Sequence, residues 1–336
     1  MSRNLSLLFF AFSFFSIMCV QYGIAQSTGI RIINDNDYYK MRDGTDRYYT
    51  NGFSIEFQSQ MKIKRKRLRL AFPQVGSATS RSLEIRYGFT TQAYTPENAY
   101  TLSGQLESRP YAGLALFSAT GISNDANTNR RLTTSYSLGM IGPATKQKEM
   151  QTWFHTITNR KQPVGWENQI ANDLALNTAA QYEWRLWKPA KPIEFTGQIE
   201  ANCGSLMNFA GIGGEFRLGF MNDYFRNTLG LSLHSPISDF SPGNSSERKY
   251  QFYFFGKGMG RVVLDNSLLE AGYFNFKNSP YRLSKAQIEK FYAQFEFGYV
   301  FAAPHFSVSF SQIYRTAEYK GGKSAQWGSV ALIIGL

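Results

Sequence analysis

Beyond residue 25 the chain keeps an alternating rhythm and never offers a long apolar run. Phe53, Ile55 and Phe57 are separated by Ser54 and Glu56. Residues 83–93, LEIRYGFTTQA, begin with the same period of two. Such a period places apolar side chains on one face of a strand and polar ones on the other. No segment after the first 25 residues reaches the roughly 18 apolar residues that a spanning helix needs. The chain therefore has to build strands with one greasy and one wet face. A soluble β-sandwich and a transmembrane barrel both satisfy that pattern.

Composition and export separate the two. The 336 residues include 28 Phe, 20 Tyr and 29 Gly, and aromatics make up 16%. That aromatic load beside a negative mean hydropathy fits strands carrying aromatic girdles at two membrane interfaces. Residues 1–25 have the form of a secretory signal. Arg3 supplies the positive start, Leu7 to Val20 the apolar run, and Gly23-Ile24-Ala25 a small-x-small cleavage site before Gln26. A retained anchor is the rival reading. Ser16-Ile17-Met18 ahead of Cys19 lacks the small residue that a lipoprotein signal carries next to its cysteine. With the leader removed, Cys203 is the remaining cysteine, so no intrachain disulfide is possible. The fold class expected for 26–336 is a single all-β domain, an antiparallel transmembrane β-barrel. The formal net charge of +12 points to anionic lipid or lipopolysaccharide phosphate. Nucleic acid is not a sensible partner for an exported protein.

Strand candidates run near 28–36, 51–62, 81–91, 112–122, 131–140, 172–186, 193–203, 209–220, 249–262, 289–301, 305–315 and 326–336. Residues 229–233 add an uncertain one, so the sequence permits twelve strands or fourteen. Strand parity sends the connections at 37–50, 92–110 and 141–171 to one rim, and 63–80, 123–130 and 187–192 to the other. Short turns on the periplasmic side and long loops outside are the usual barrel arrangement. Within 139–171, Lys146 to Asn159 contains neither Gly nor Pro and predicts a short helix in an external loop. Gln151 and His155 lie four apart and share a helix face.

The stretch Asn34 to Gly52, NDNDYYKMRDGTDRYYTNG, is dense in carboxylates and amides and ends in a Thr-Asn-Gly turn. Asp35, Asp37, Asp43 and Asp46 are hard oxygen ligands or bases; a solvated acidic loop is the plain reading. Parity gathers Asn36, Asp37, Thr50, Gln151 and His155 at the outer rim. His155, one of three histidines, is suited to general-base work near neutral pH, or to packing beside Trp153 and Phe154. Asp37 with neighbouring oxygens is suited to Ca²⁺, although one carboxylate is a weak signal. His234 and His305 read as structural or solvated. The run Lys62–Arg67 reads as a solvated turn or strand end, with phosphate binding as the alternative. No G-x-S-x-G elbow, H-E-x-x-H pair or P-loop occurs.

Four groups of residues carry a family resemblance. They are Asn36-Asp37-Tyr38 with Thr45-Asp46-Arg47-Tyr48-Tyr49-Thr50-Asn51-Gly52; Tyr94-Thr95-Pro96 with Arg109-Pro110-Tyr111-Ala112-Gly113; Gly139-Met140-Ile141-Gly142-Pro143; and Gln151 with His155, then Gly165-Trp166-Glu167-Asn168-Gln169. Their order and spacing over 30–170 resemble the outer-membrane lipid A 3′-O-deacylase family. A monomer is expected from the leader, the alternation and the aromatic content, and the resemblance implies a twelve-stranded barrel in the bacterial outer membrane, with its site loops facing the exterior. It implies Ca²⁺-dependent removal of the 3′-linked acyloxyacyl group from lipid A. It further implies His155 as base, Asn36-Asp37 at the metal with Asn34-Asp35 as a competing pair, and Thr50 and Gln151 positioning substrate or metal-bound water. Two positions depart from the family. Tyr100-Thr101 stand where a characterised form has a lysine, and Lys161 stands where it has a glutamate six residues after the histidine. Arg160 and Lys161 are candidate contacts for lipid A phosphate. A noncatalytic lipopolysaccharide-binding or solute-conducting barrel, and an outer-membrane phospholipase, are the alternatives.

Overall fold

The computed structural model describes residues 28–39, 47–60, 70–76, 81–102, 108–190, 192–225, 248–304 and 306–335. The expected leader, Asp43, Asp46, the run Lys62–Arg67, the segment 229–233, His234 and His305 lie outside them.

Twelve strands form among the described residues. They are β1 (Thr28–Asn36), β2 (Tyr48–Gln60), β3 (Arg81–Thr95), β4 (Ala112–Asp125), β5 (Arg130–Ile141), β6 (Asp173–Ala190), β7 (Ile193–Gly204), β8 (Met207–Phe220), β9 (Gln251–Asn266), β10 (Phe291–Ala303), β11 (Phe306–Arg315) and β12 (Ala325–Gly335). Each pairs antiparallel with its neighbour in the chain, and β1 closes on β12 from Gly29↔Gly335 to Asn36↔Gly328. In lipid this closure is obligatory, because an open edge would strand N–H and C=O groups without water. β8 pairs directly with β9 from Met207↔Asn266 to Phe220↔Phe252. The ring thus closes on twelve strands, and the alternative of fourteen is set aside.

The period of two sorts the side chains. On β10 and β11, Phe295, Phe297, Tyr299, Phe301, Phe306, Val308 and Phe310 are exposed, whereas Glu296, Val300, Ser307, Ser309 and Ser311 are buried. The aromatic face meets lipid, where a Lys or Arg near the midplane costs about 2–4 kcal/mol. The inward face is crowded with paired charge. Arg31 reaches Glu56 at 3.1 Å, and Arg86 reaches Glu56 at 3.4 Å and Glu84 at 3.3 Å. Farther along the bore Arg217 pairs with Glu194. Arg131 donates to the Tyr224 carbonyl at 2.7 Å while its guanidinium lies 4.2 Å over the Tyr224 ring. Buried charges of this kind hold only while paired, so the packed layer is both filling and fastening.

The two ends differ from the expected pattern. The turns 126–129 and 191–192 are short, as parity requires, but 61–80 and 221–250 leave from the same end and are long. Part of the second, Met221 to Phe225, folds inward. Tyr224 and Phe225 are fully buried, and Asn124 donates its amide to the Phe225 carbonyl. The opposite rim carries helix α1 (Gln147–Ile157), inside the expected 146–159, and the one-turn α2 (Ser267–Glu270). Strand limits shift there too. β2 begins at Tyr48 and β3 runs to Thr95, so Thr50 and Tyr94, both expected in loops, are strand residues.

Candidate active site

Helix α1 buries its polar side. Gln147, Gln151 and His155, spaced by four, are 2%, 7% and 2% exposed. They share one face because successive turns stack at that spacing. Two glycines seat the helix. Gly142, in the left-handed region at φ 97°, donates its N–H to the Gly113 carbonyl at 2.9 Å. A Cβ on Gly113 would stand 2.1 Å from Thr145 Oγ1 and 2.8 Å from Gln147 Cγ. Its strand neighbours Ala112 and Leu114 belong to the inward cluster, so Gly113 faces outward. The helix therefore rests on the outer wall of β4, not over the bore. At its other end Asn159 takes φ 52° and Arg160 donates back to the His155 carbonyl at 2.8 Å, a left-handed helix stop.

That stop returns the chain to the histidine. His155 Nδ1 lies 2.6 Å from the Lys161 carbonyl oxygen. A carbonyl only accepts, so Nδ1 carries the hydrogen, and in the neutral ring Nε2 holds the lone pair. The departure at position 161 leaves this bond intact, because it uses backbone. Gln151 is oriented in the same fashion. Trp166 Nε1–H donates to Gln151 Oε1 at 2.8 Å, which presents the Gln151 NH₂ on the other side. Gln151 Nε2 is buried without a hydrogen-bond partner among the described residues. In the sequence Trp166 stands out only within its motif, as a large indole in a polar loop that must find an acceptor when buried.

The remaining motif residues pack on the two faces of the wall, Tyr111 and Trp166 outside and Tyr94 inside. Trp166 packs on Tyr111 with ring centroids 4.5 Å apart, and Tyr111 donates to the Val164 carbonyl at 2.9 Å. Arg109 pairs with Glu318 at 3.1 Å and lies 4.4 Å over the Tyr94 ring. Arg315 binds the other Glu318 oxygen at 3.0 Å. Burial alone raises the Glu318 carboxyl, but Arg315 and then Arg109 outweigh it and hold it below the usual carboxylate range.

On the same outer wall, strands β1 and β2 contribute amides. The pairs Asn34↔Phe53 and Asn36↔Asn51 sit on the outward face of β1 and β2, in line with exposed Phe53 and Phe57. Asn36 donates to Asn51 Oδ1 at 3.4 Å and accepts from the Tyr38 N–H at 2.8 Å, which starts the 3-10 turn Asp37–Tyr39. Asn34 accepts from the Tyr39 hydroxyl at 2.8 Å. Asp37 is buried. Asp35, by contrast, accepts from Tyr49 at 2.8 Å on the inward side, opposite Asn34. Thr50 occupies a bulge between the pairs Tyr49↔Tyr94 and Asn51↔Ala93. Its hydroxyl meets that of Thr95 at 2.8 Å.

Two cation–ring stacks bridge these halves. The Arg160 guanidinium lies 4.5 Å over Tyr38, and Lys161 Nζ lies 5.6 Å from the Tyr100 centroid. Tyr100 in turn is 6.4 Å from the His155 ring. The connections after β1, β3 and β5 thus converge. Among the described residues no group of three His, Cys, Asp or Glu is placed to hold a metal. The donors nearby are hard oxygens nonetheless. Asp37 is a buried carboxylate, and Gln147 Oε1 is buried without a partner among the described residues. That chemistry suits calcium in type but supplies few carboxylates.

The family model described as outer membrane protein LpxR matches residues 7–336. Among solved structures, LpxR from Salmonella typhimurium is similar with a TM-score of 0.67 at 16% identity, over 91% of this chain and 99% of that one. The β domain of the Bordetella autotransporter BrkA gives 0.45 at 9% identity, over 93% and 100%. The NanC porin gives 0.36 at 8%, over 91% and 98%. No curated protein matches. With a family match across nearly its whole length and a twelve-stranded, helix-bearing barrel beneath it, this outer-membrane chain belongs to the LpxR lipid A deacylase family.

Proposed function

We propose that the protein hydrolyses the ester linking the acyloxyacyl group to the 3′ position of lipid A, working as a monomer with its site loops at the cell exterior. Membership of a hydrolase family supports the reaction class. The observation that carries the residue assignment is the bond from His155 Nδ1 to the Lys161 carbonyl. It fixes the tautomer whose Nε2 can accept a proton. Because α1 rests on the outer wall of β4, an acyl ester can reach His155 from the leaflet without crossing the packed bore.

The chemistry then follows from the side chains. Water attacks the ester carbonyl carbon as His155 Nε2 takes its proton. The carbonyl oxygen gains negative charge, and the Gln151 NH₂, held by Trp166, is a pre-oriented donor for it. Collapse breaks the bond to the 3′ oxygen, which receives the proton back from the imidazolium. Thr50 and Asn51 line the strand side and orient the acyl ester. Arg160 and Lys161 face the phosphate-bearing end of the substrate. Calcium, which Asp37 and Asn36 would hold, supplies polarisation of the ester carbonyl when bound.

Mass spectrometry of lipid A after incubation with folded protein and calcium tests the proposal. Loss of the 3′ acyloxyacyl group is the expected result. Loss of another acyl group moves the positional assignment, and cleavage of glycerophospholipid instead makes the protein a phospholipase. Unchanged lipids make it a noncatalytic lipopolysaccharide-binding barrel.

A further inference from the structure

Helix α1 is amphipathic the wrong way round for a water-soluble surface. A helix on a soluble protein buries its apolar stripe and shows its polar one. Here Gln147, Gln151 and His155 are buried, while Met150, Trp153, Phe154 and Ile157 are 41%, 64%, 37% and 60% exposed. Their spacing of three, four and seven makes one continuous stripe. Scattered exposed apolar residues need no explanation, but a contiguous stripe of this size marks a contact surface.

What covers the stripe follows from its position. Gly113 places α1 on the outer wall of β4. β5 and β6, which lead into and out of its loop, carry exposed Leu138, Met140, Leu174 and Leu176 on the lipid side, in the pairs Leu138↔Leu176 and Met140↔Leu174. The stripe thus continues a surface that already meets acyl chains. Cations flank it. Lys148 is exposed near the helix start, and Arg160 and Lys161 follow its end. Apolar residues flanked by basic ones form the pattern of a helix lying in the lipid interface beside anionic head groups. An exposed tryptophan suits that depth, with its ring in hydrocarbon and its N–H near water.

We propose that α1 lies in the outer leaflet, with Met150, Trp153, Phe154 and Ile157 inserted among lipid acyl chains and the His155 face turned inward to the barrel wall. The helix becomes a float that sets the height of His155 in the leaflet. The inference stands on burial and placement, independently of the ester chemistry.

Fluorescence tests it in the full-length folded barrel reconstituted into phosphatidylcholine–phosphatidylglycerol vesicles. The chain has five tryptophans, so the Trp153 signal is the difference between wild type and Trp153→Phe, a swap that keeps the site apolar. With brominated acyl chains in the vesicles, the difference signal is expected to be quenched and blue-shifted, and to resist aqueous iodide. Quenching by iodide instead would place the helix in water and overturn the proposal. Resistance to both quenchers would also overturn it, by showing that protein covers the stripe, either a second copy or another segment of this chain. Lipid A hydrolysis plays no part in the readout, so failure of the proposed reaction leaves the result readable.

Discussion

His155 Nδ1 donates to the backbone carbonyl of Lys161 across 2.6 Å, so the residue that orients the imidazole does so regardless of its side chain. A family position that carries a glutamate elsewhere can therefore change here without disturbing the tautomer. His155→Ala should lower the rate of lipid A cleavage by about 10²–10⁴-fold while the heat-modifiable barrel band survives. Lys161→Ala should stay within several-fold of wild type, since its carbonyl remains. Initial rates on the same lipid A preparation make the comparison. Equal, large losses in both variants would show that the Lys161 side chain, not its backbone, carries the effect.

Trp166 acts on the reaction through Gln151. Its indole N–H holds Gln151 Oε1 at 2.8 Å and thereby decides which way the amide points. Trp166→Phe keeps the ring against Tyr111 but removes the donor. A buried acceptor left unsatisfied costs about 1–3 kcal/mol, and the amide gains a reason to flip. The expected result is a fall in kcat with KM little changed. A rise in KM at constant kcat would assign Trp166 to substrate binding.

Glu318 ties the rim together through Arg109 and Arg315, at 3.1 and 3.0 Å. Burial opposes its ionisation, but the two guanidiniums prevail and its carboxyl titrates below the ordinary value of 4.5. A depressed folded value contributes stability above the unfolded value, and that stability is lost as pH falls through the folded one. Removing one partner of a buried pair costs about 3–5 kcal/mol, here as local opening of the rim. Limited proteolysis of wild type and Glu318→Gln should differ most at neutral pH. The two should converge as pH drops below 4.5. A constant gap down to the lowest pH would mean that the pairs contribute nothing through charge.

The packed bore bears on the solute-conducting alternative. Arg31, Glu84, Arg86, Arg131 and Arg217 are all at most 5% exposed, and Met221 to Phe225 fills the end opposite α1. A channel needs a continuous wet path, whereas here Arg31 and Arg86 pair with Glu56, Arg86 also with Glu84 and Arg217 with Glu194 along the wall, and Arg131 holds the inturned Tyr224 carbonyl. Planar-bilayer recordings of the folded protein should show no steady conductance. Reproducible single-channel steps would restore the porin-like reading.

Much of this was legible in the chain before its fold was known. Alternation revealed the strands, because a barrel wall has the same two faces along its whole length. His155 and Gln151 were legible for a similar reason, since a spacing of four in a breaker-free stretch has one structural meaning. Thr50 reads as a loop residue because a bulge breaks the period there. The long connections 61–80 and 221–250 defied the loop-length rule because the second is partly used as filling for the bore. The bond from His155 to Lys161 leaves no mark in the sequence. Lys161 contributes a backbone carbonyl, and every residue has one.

Asp37 and Asp35 sit two residues apart with different surroundings, which makes the metal assignment testable. Asp35 accepts from Tyr49 on the inward side of the wall. Asp37 begins the turn that follows Asn36 on the outward side. Calcium favours a carboxylate among neutral oxygens, and Asn36, Asn51 and Thr50 are such oxygens nearby. Asp37→Asn removes one charge with nearly the same volume. It should move the calcium titration of lipid A cleavage to higher concentration, while saturating calcium recovers part of the rate. Asp35→Asn should leave the calcium midpoint in place and act on folding, because its hydroxyl partner lies inside the barrel. Barrel folding of each variant is checked first by heat modifiability. An unchanged calcium response in folded Asp37→Asn, with a shifted one in Asp35→Asn, would transfer the metal to Asn34-Asp35.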